Sequence, residues 1–73
     1  MVRLTQNPMA TQGGKFLGNV GAVDIWSING AVATVRNEAA AMGGDLIYVT
    51  YAGPNYQGFG AVTGEVYRME NTQ

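Results

Sequence analysis

The 73-residue chain contains no cysteine and no histidine. Together these absences remove most of the chemistry that a very small domain can lean on. Without thiols there is no disulfide and no thiolate ligand. Without imidazole there is no ordinary general base, and the usual ligand set for zinc, copper or an iron–sulfur cluster is missing. Positive charge is scarce too. The four basic residues, Arg3, Lys15, Arg36 and Arg68, are scattered along the sequence. Affinity for phosphate needs several cations on one surface, so no nucleic-acid partner is expected. No apolar run reaches the roughly 20 residues needed to span a bilayer. The opening "MVRLTQNP" lacks the apolar stretch of a secretory signal, so either the protein is cytosolic or an export signal has been removed from it.

What remains for catalysis is thin. The one serine, Ser27, could form a dyad with Lys15, but it stands at a helix start, where its hydroxyl serves better as a cap. The carboxylates Asp24, Glu38, Asp45, Glu65 and Glu70 are too dispersed for a calcium loop and read as solvated surface charges. "GGKF", residues 13–16, echoes the end of a phosphate-binding loop but lacks the upstream glycine and the following Ser or Thr. "GFGAVTG", residues 58–64, has the wrong glycine spacing for a dinucleotide fingerprint. The expectation is a protein without catalytic residues, metal ligands or a cofactor.

What the chain does have is apolar substance. Hydrophobic residues make up 47% of it and charged residues only 12%, the composition of a folded domain rather than a disordered one. At this length one domain, residues 1–73, is all the core can support. A net charge of −1 offers little repulsion between copies, which favours self-association or a protein partner.

The patterning predicts an α+β fold in the order β-β-α-β-β, with one helix laid across an antiparallel or mixed sheet of about four strands. Val2 to Thr5 alternates as a short first strand, and "NPMATQGG" follows as a loop. Phe16 to Asp24 reads as a second strand, with Phe16, Gly18, Val20 and Ala22 on one face. Ile28, Val32, Val35, Ala39 and Met42 recur at helical spacing, giving a helix over about residues 30–42. Ser27 or Asn29 can supply its N-cap oxygen, and Gly43 or Gly44 its left-handed C-terminal cap. "LIYVTY", residues 46–51, predicts a central strand with Ile47, Val49 and Tyr51 on one face. The last strand turns Val62, Gly64 and Val66 to one side and Thr63, Glu65 and Tyr67 to the other. The polar tail "ENTQ" is expected to fray. Ala31, Ala39 and Ala40 against Gly18, Gly21 or Gly64 would let helix and sheet approach closely.

The aromatic residues are the remaining candidates for function. Trp26, Tyr51, Tyr56, Phe59 and Tyr67 exceed what one core face of so small a sheet can bury, and any left exposed together would form a patch suited to protein contact. The alternative is a second small cluster on the reverse of the sheet. The stretch "AGPNYQGFG", residues 52–60, reads first as a reversal between the last two strands, with Pro54 and Asn55 at the corner and Gly58 or Gly60 permitting re-entry. Two functional expectations follow: protein contact, through a surface carried by Trp26, Tyr51, Tyr56 and Phe59 or through an exposed strand edge, or a small-molecule site closed by this loop with Trp26, Tyr51 and Tyr56 stacking on the ligand.

"VRNEAAAMGGDLIYVT", residues 35–50, and "VTGEVYRM", residues 62–69, carry a resemblance. Arg36, Ala39, Gly43 and Asp45 match a helix-to-strand pattern, Gly64, Tyr67 and Arg68 a last-strand pattern, and "FLGNV" a strand ahead of the helix. In these motifs the chain resembles small bacterial envelope lipoproteins related to the stress sensor RcsF, including a group of unknown function. The resemblance implies a non-catalytic protein of the periplasm or outer membrane that contacts other proteins, and a membrane association only through a lipid anchor not present in this chain. It gives Gly43, Gly64, Tyr67 and Arg68 scaffold roles: a helix cap, a close-packing site and a strand-end pair. The family's acylated and further cysteines have no counterpart here, so its disulfide chemistry does not carry over.

Overall fold

The computed structural model describes residues 2–69; the expectation for the tail lies outside them. Strand β1 (Arg3–Thr5) leads through a short 3-10 turn (Pro8–Thr11) into β2 (Gly14–Asp24). Helix α1 (Ile28–Ala41) follows, and then β3 (Leu46–Pro54) and β4 (Gly60–Met69). The result is an α+β domain with one helix on a four-stranded mixed sheet. Spatial order departs from chain order: the strands lie β1-β3-β4-β2. β1 runs parallel to β3, and the other two pairings are antiparallel.

The helix begins two residues before the expected boundary because Ser27 is the N-cap. Its backbone is extended, and its Oγ accepts the N–H of Gly30 at 3.3 Å. The other end closes on two glycines. Gly43 takes φ +82°, its N–H donates to the Ala40 carbonyl, and the Gly44 N–H donates to the Ala39 carbonyl. This is the paired cap in which a left-handed residue satisfies two carbonyls the helix leaves unbonded.

α1 buries Ala31, Val35 and Ala39 against Val20, Ile47, Val62 and Val66. Gly64, expected to admit the helix, shares the helix-side face with Val62 and Val66, opposite Val20 and Val49, but the atoms that crowd it belong to the neighbouring strand rather than to the helix. A methyl group there would meet Ile47 Cγ2 at 2.7 Å and the Tyr48 carbonyl at 2.8 Å. Of the other small residues expected under the helix, Gly21 and Ala40 are exposed.

Two bulges change which side chains share a face. The register of β2 on β4 shifts between Phe16 and Gly18. Gly18, Val20 and Ala22 therefore face the helix, while Phe16 joins Asn19, Gly21 and Val23 on the reverse. A second shift between Val49 and Tyr51 sets Tyr51 opposite Thr63. Tyr51 thus leaves the face of Ile47 and Val49 for the reverse. Simple period-two reading placed both aromatics on the wrong side, because one extra residue inverts every side chain beyond it.

Asp45, expected as a solvated charge, is half-buried where three strands meet. Its Oδ1 accepts the Met69 N–H at 2.9 Å, its carbonyl accepts the Arg3 N–H, and its own N–H donates to the Tyr67 carbonyl. It ties the starts of β1 and β3 to the end of β4.

Candidate functional site

The sheet register brings most of the exposed aromatic side chains to one end of the molecule. Asp24 and Pro54 both lie opposite Gly60, so the segment joining β2 to α1 and the turn joining β3 to β4 emerge side by side. Local polar groups hold both segments. Asp24 Oδ1 accepts the N–H groups of Trp26 at 2.7 Å and Ser27 at 3.1 Å, an Asx turn that fixes the backbone around Trp26. In the β3–β4 turn, Asn55 Oδ1 accepts the N–H groups of Gln57 and Phe59, and the Asn55 N–H donates to the Phe59 carbonyl. Gly58 completes the reversal with φ +84°.

These ordered loops leave large apolar groups in solvent. Trp26 is 89% exposed and Tyr56 96%; Tyr51 is 47% exposed, with Val23 and Ile25 beside the same loops. Phe59 is half-buried and does not join Tyr56 in solvent. The Tyr51 hydroxyl bonds the Pro54 carbonyl, so its ring is held against the turn. Trp26 and Tyr56 are thus the two fully presented aromatic groups of the end.

A different aromatic pair occupies the far end of the open face. Phe16 and Tyr67 meet edge to face, centroids 5.7 Å apart at 66°, a preferred arrangement for two rings. Tyr67 O–H donates to Glu65 Oε1 at 2.8 Å. That bond, then burial and the negative charge of Glu65, raise the Tyr67 phenol above its ordinary value of 10.0, with the Thr11 hydroxyl opposing them. Arg68, its neighbour in the expected strand-end pair, faces the other side of β4 and lies opposite Lys15. A raised folded-state pKa favours the protonated form. The stability linked to this group is therefore complete below about pH 10 and is lost as pH rises through the raised value. Replacing Glu65 with glutamine is expected to bring the Tyr67 transition back toward the ordinary range, read from phenolate absorbance during an alkaline titration.

Other candidates separate. Ser27 caps α1, whereas Lys15 stands at the far end of β2. Glu38 is exposed on the helix. Among the described residues no three Asp or Glu side chains come together in a group that could hold a metal ion. An open groove of about 310 Å³ lies beside β1, lined by Leu4, Thr5, Gln6, Val49 and Ala52. None of the three aromatics expected to stack on a ligand lines it. No helix among the described residues is long and apolar enough to cross a membrane.

Sequence reasoning missed the Asx turns at Asp24 and Asn55. Their signal was present in "VDIWS" and "PNYQG", where a short polar side chain precedes the backbone N–H groups it can reach. Compared with known proteins, the chain matches no family model, no curated protein and no solved structure.

Proposed function

We propose that this protein is a non-catalytic interaction module that holds a protein partner through its aromatic end. The observation that carries this reading is the near-complete exposure of Trp26 and Tyr56 on backbone segments pinned by Asp24 and Asn55. A solvent-exposed indole on a fixed loop loses little conformational freedom on binding and offers a large apolar area. Trp and Tyr accordingly dominate the energetics of protein interfaces. Neighbouring Val23, Ile25 and Tyr51 supply the apolar surround that excludes water from such anchors. The motif resemblance of residues 35–50 and 62–69 to envelope lipoproteins supports the periplasm or outer membrane as its setting.

The test compares affinity capture from a bacterial envelope extract by the native chain, by Trp26→Ala with Tyr56→Ala, and by a control altered at exposed Met9. The aromatic double variant is expected to lose a partner that the control retains, with affinity falling roughly 30-fold or more. Its unfolding free energy is expected to stay within about 0.5 kcal/mol of the native value, because neither ring is buried. A partner retained equally by all three proteins would overturn the reading.

A further inference from the structure

We infer that the outer edge of β2 pairs with the same edge of a second copy of this chain, joining two four-stranded sheets into one of eight strands. This goes beyond the aromatic-end reading and uses a separate surface. Among the described residues β2 is the longest strand, Gly14–Asp24, and it stands at the margin of the sheet with β4 as its neighbour. An edge of that length presents a row of backbone donors and acceptors that folded proteins ordinarily shorten, cover or pair. The opposite margin is shortened: β1 is three residues long, and Pro54 ends β3 beyond it.

The register of this fold fits a two-fold partner. The Asn55 N–H donates to the Phe59 carbonyl, and alternation along β4 from that pair turns the backbone groups of Gly60, Val62 and Gly64 toward β2. In β2 the residues opposite the intervening positions, Phe16, Asn19, Gly21 and Val23, then direct their backbone groups outward. An antiparallel pairing centred on Val20 sets Asn19 against Gly21 of the second copy, and each side chain then meets one from the same face. Continued past the bulge, the pairing leaves Leu17 as the extra residue and sets Phe16 against Val23 of the second copy. Both lie on the open face, 50% and 56% exposed. One position further, Lys15 stands opposite Asp24 of the second copy, cation against carboxylate, once at each end by symmetry. Lysine and a bulge on an edge usually prevent pairing. Here the two-fold register absorbs the bulge and neutralises the lysine.

Sedimentation equilibrium on the full chain, from micromolar to millimolar concentration, reads the first consequence: a mass twice the 7.7 kDa of one chain. Asn19→Pro removes an outward N–H. Lys15→Glu sets like charges opposite each other without touching the core. Each is expected to raise the dissociation constant at least tenfold, while Trp26→Ala leaves it unchanged. Should Asn19→Pro fail to fold by circular dichroism, Lys15→Glu decides alone. Register is tested by mixing Asn19→Cys chains with Gly21→Cys chains. A side chain at Gly21 meets Thr63 Cγ2 no closer than 3.4 Å, so the cysteine fits. Oxidation is expected to link the two kinds of chain in preference to like with like. A monomer at every concentration, a dimer indifferent to Lys15→Glu, or cross-linking in statistical proportion would overturn the inference. Loss of the dimer in Trp26→Ala would do so as well, by assigning self-association to the aromatic end.

Discussion

Ile47→Ala is expected to lower the unfolding free energy by about 2–5 kcal/mol, a large share of the roughly 4–11 kcal/mol that a domain of this length holds in total. Ile47 is the largest fully buried side chain among the described residues. It sits on β3, which pairs on both sides, with Leu4 opposite on β1 and Val66 opposite on β4. Two ladders fix the backbone around the deleted atoms, so the site cannot collapse to fill the space, and the cavity term adds to the lost transfer energy. Neighbouring Gly64 provides a second reading of the same contact. A methyl group there would strike Ile47 Cγ2, so Gly64→Ala is expected to cost less in the Ile47→Ala background than in the native one. The Tyr48 carbonyl keeps some of that penalty in place. Urea denaturation followed by far-ultraviolet circular dichroism measures each value.

Gly60→Ala is expected to cost about 3 kcal/mol, the upper end for inserting one methyl group where none fits. A Cβ at Gly60 would lie 2.6 Å from the Ile28 nitrogen, 2.7 Å from its Cα and 2.9 Å from the Ser27 carbonyl carbon. All three are backbone atoms at the start of α1, so no rotamer change relieves the contact. The strand or the helix has to move. Gly58, two residues earlier in the same turn, gives the contrast. Its φ is +84° and nothing lies within 4 Å of an added Cβ, so Gly58→Ala is expected to cost only about 1 kcal/mol of backbone strain. Equal losses at the two positions would show that α1 does not rest on β4 at Gly60.

The helix and the last strand were legible in the sequence because their signals are local. The spacing of Val35 and Ala39, the serine ahead of them and the paired glycines after them each act within a few residues. Val62, Gly64 and Val66 alternate without interruption, and the structure turns them to the helix as that alternation predicts. In β2 the alternation from Gly18 to Asp24 was legible but the side taken by Phe16 was not, and in β3 the faces past Val49 were not. A bulge is a property of a pair of strands, decided by partners some fifty residues away for Phe16 and about twelve for Tyr51. The parallel placement of β1 beside β3 is equally non-local. Asp45 illustrates the limit on single residues: nothing near it in the sequence announces that its carboxylate will accept the Met69 N–H. At the candidate site, sequence reading named Trp26, Tyr51, Tyr56 and Phe59 as one group. Only Trp26 and Tyr56 stand fully in solvent, since the Asn55 turn draws the backbone of Phe59 inward and Tyr51 bonds to Pro54. Within "AGPNYQGFG" the turn itself is the five residues 55–59 between β3 and β4, which both reverse the chain and present a single tyrosine.

Trp26 is the chain's one tryptophan, so the aromatic end carries its own reporter. The most direct measurement is the emission of Trp26 while the partner captured by the native chain is titrated in, using a partner preparation whose own tryptophan signal is subtracted. Burial of the indole at the interface predicts a shift of its emission to shorter wavelength that saturates with the binding isotherm, and an affinity loss of roughly 30-fold or more in Trp26→Ala with Tyr56→Ala. Saturable binding with Trp26 emission unchanged and affinity untouched in the double variant would contradict the account.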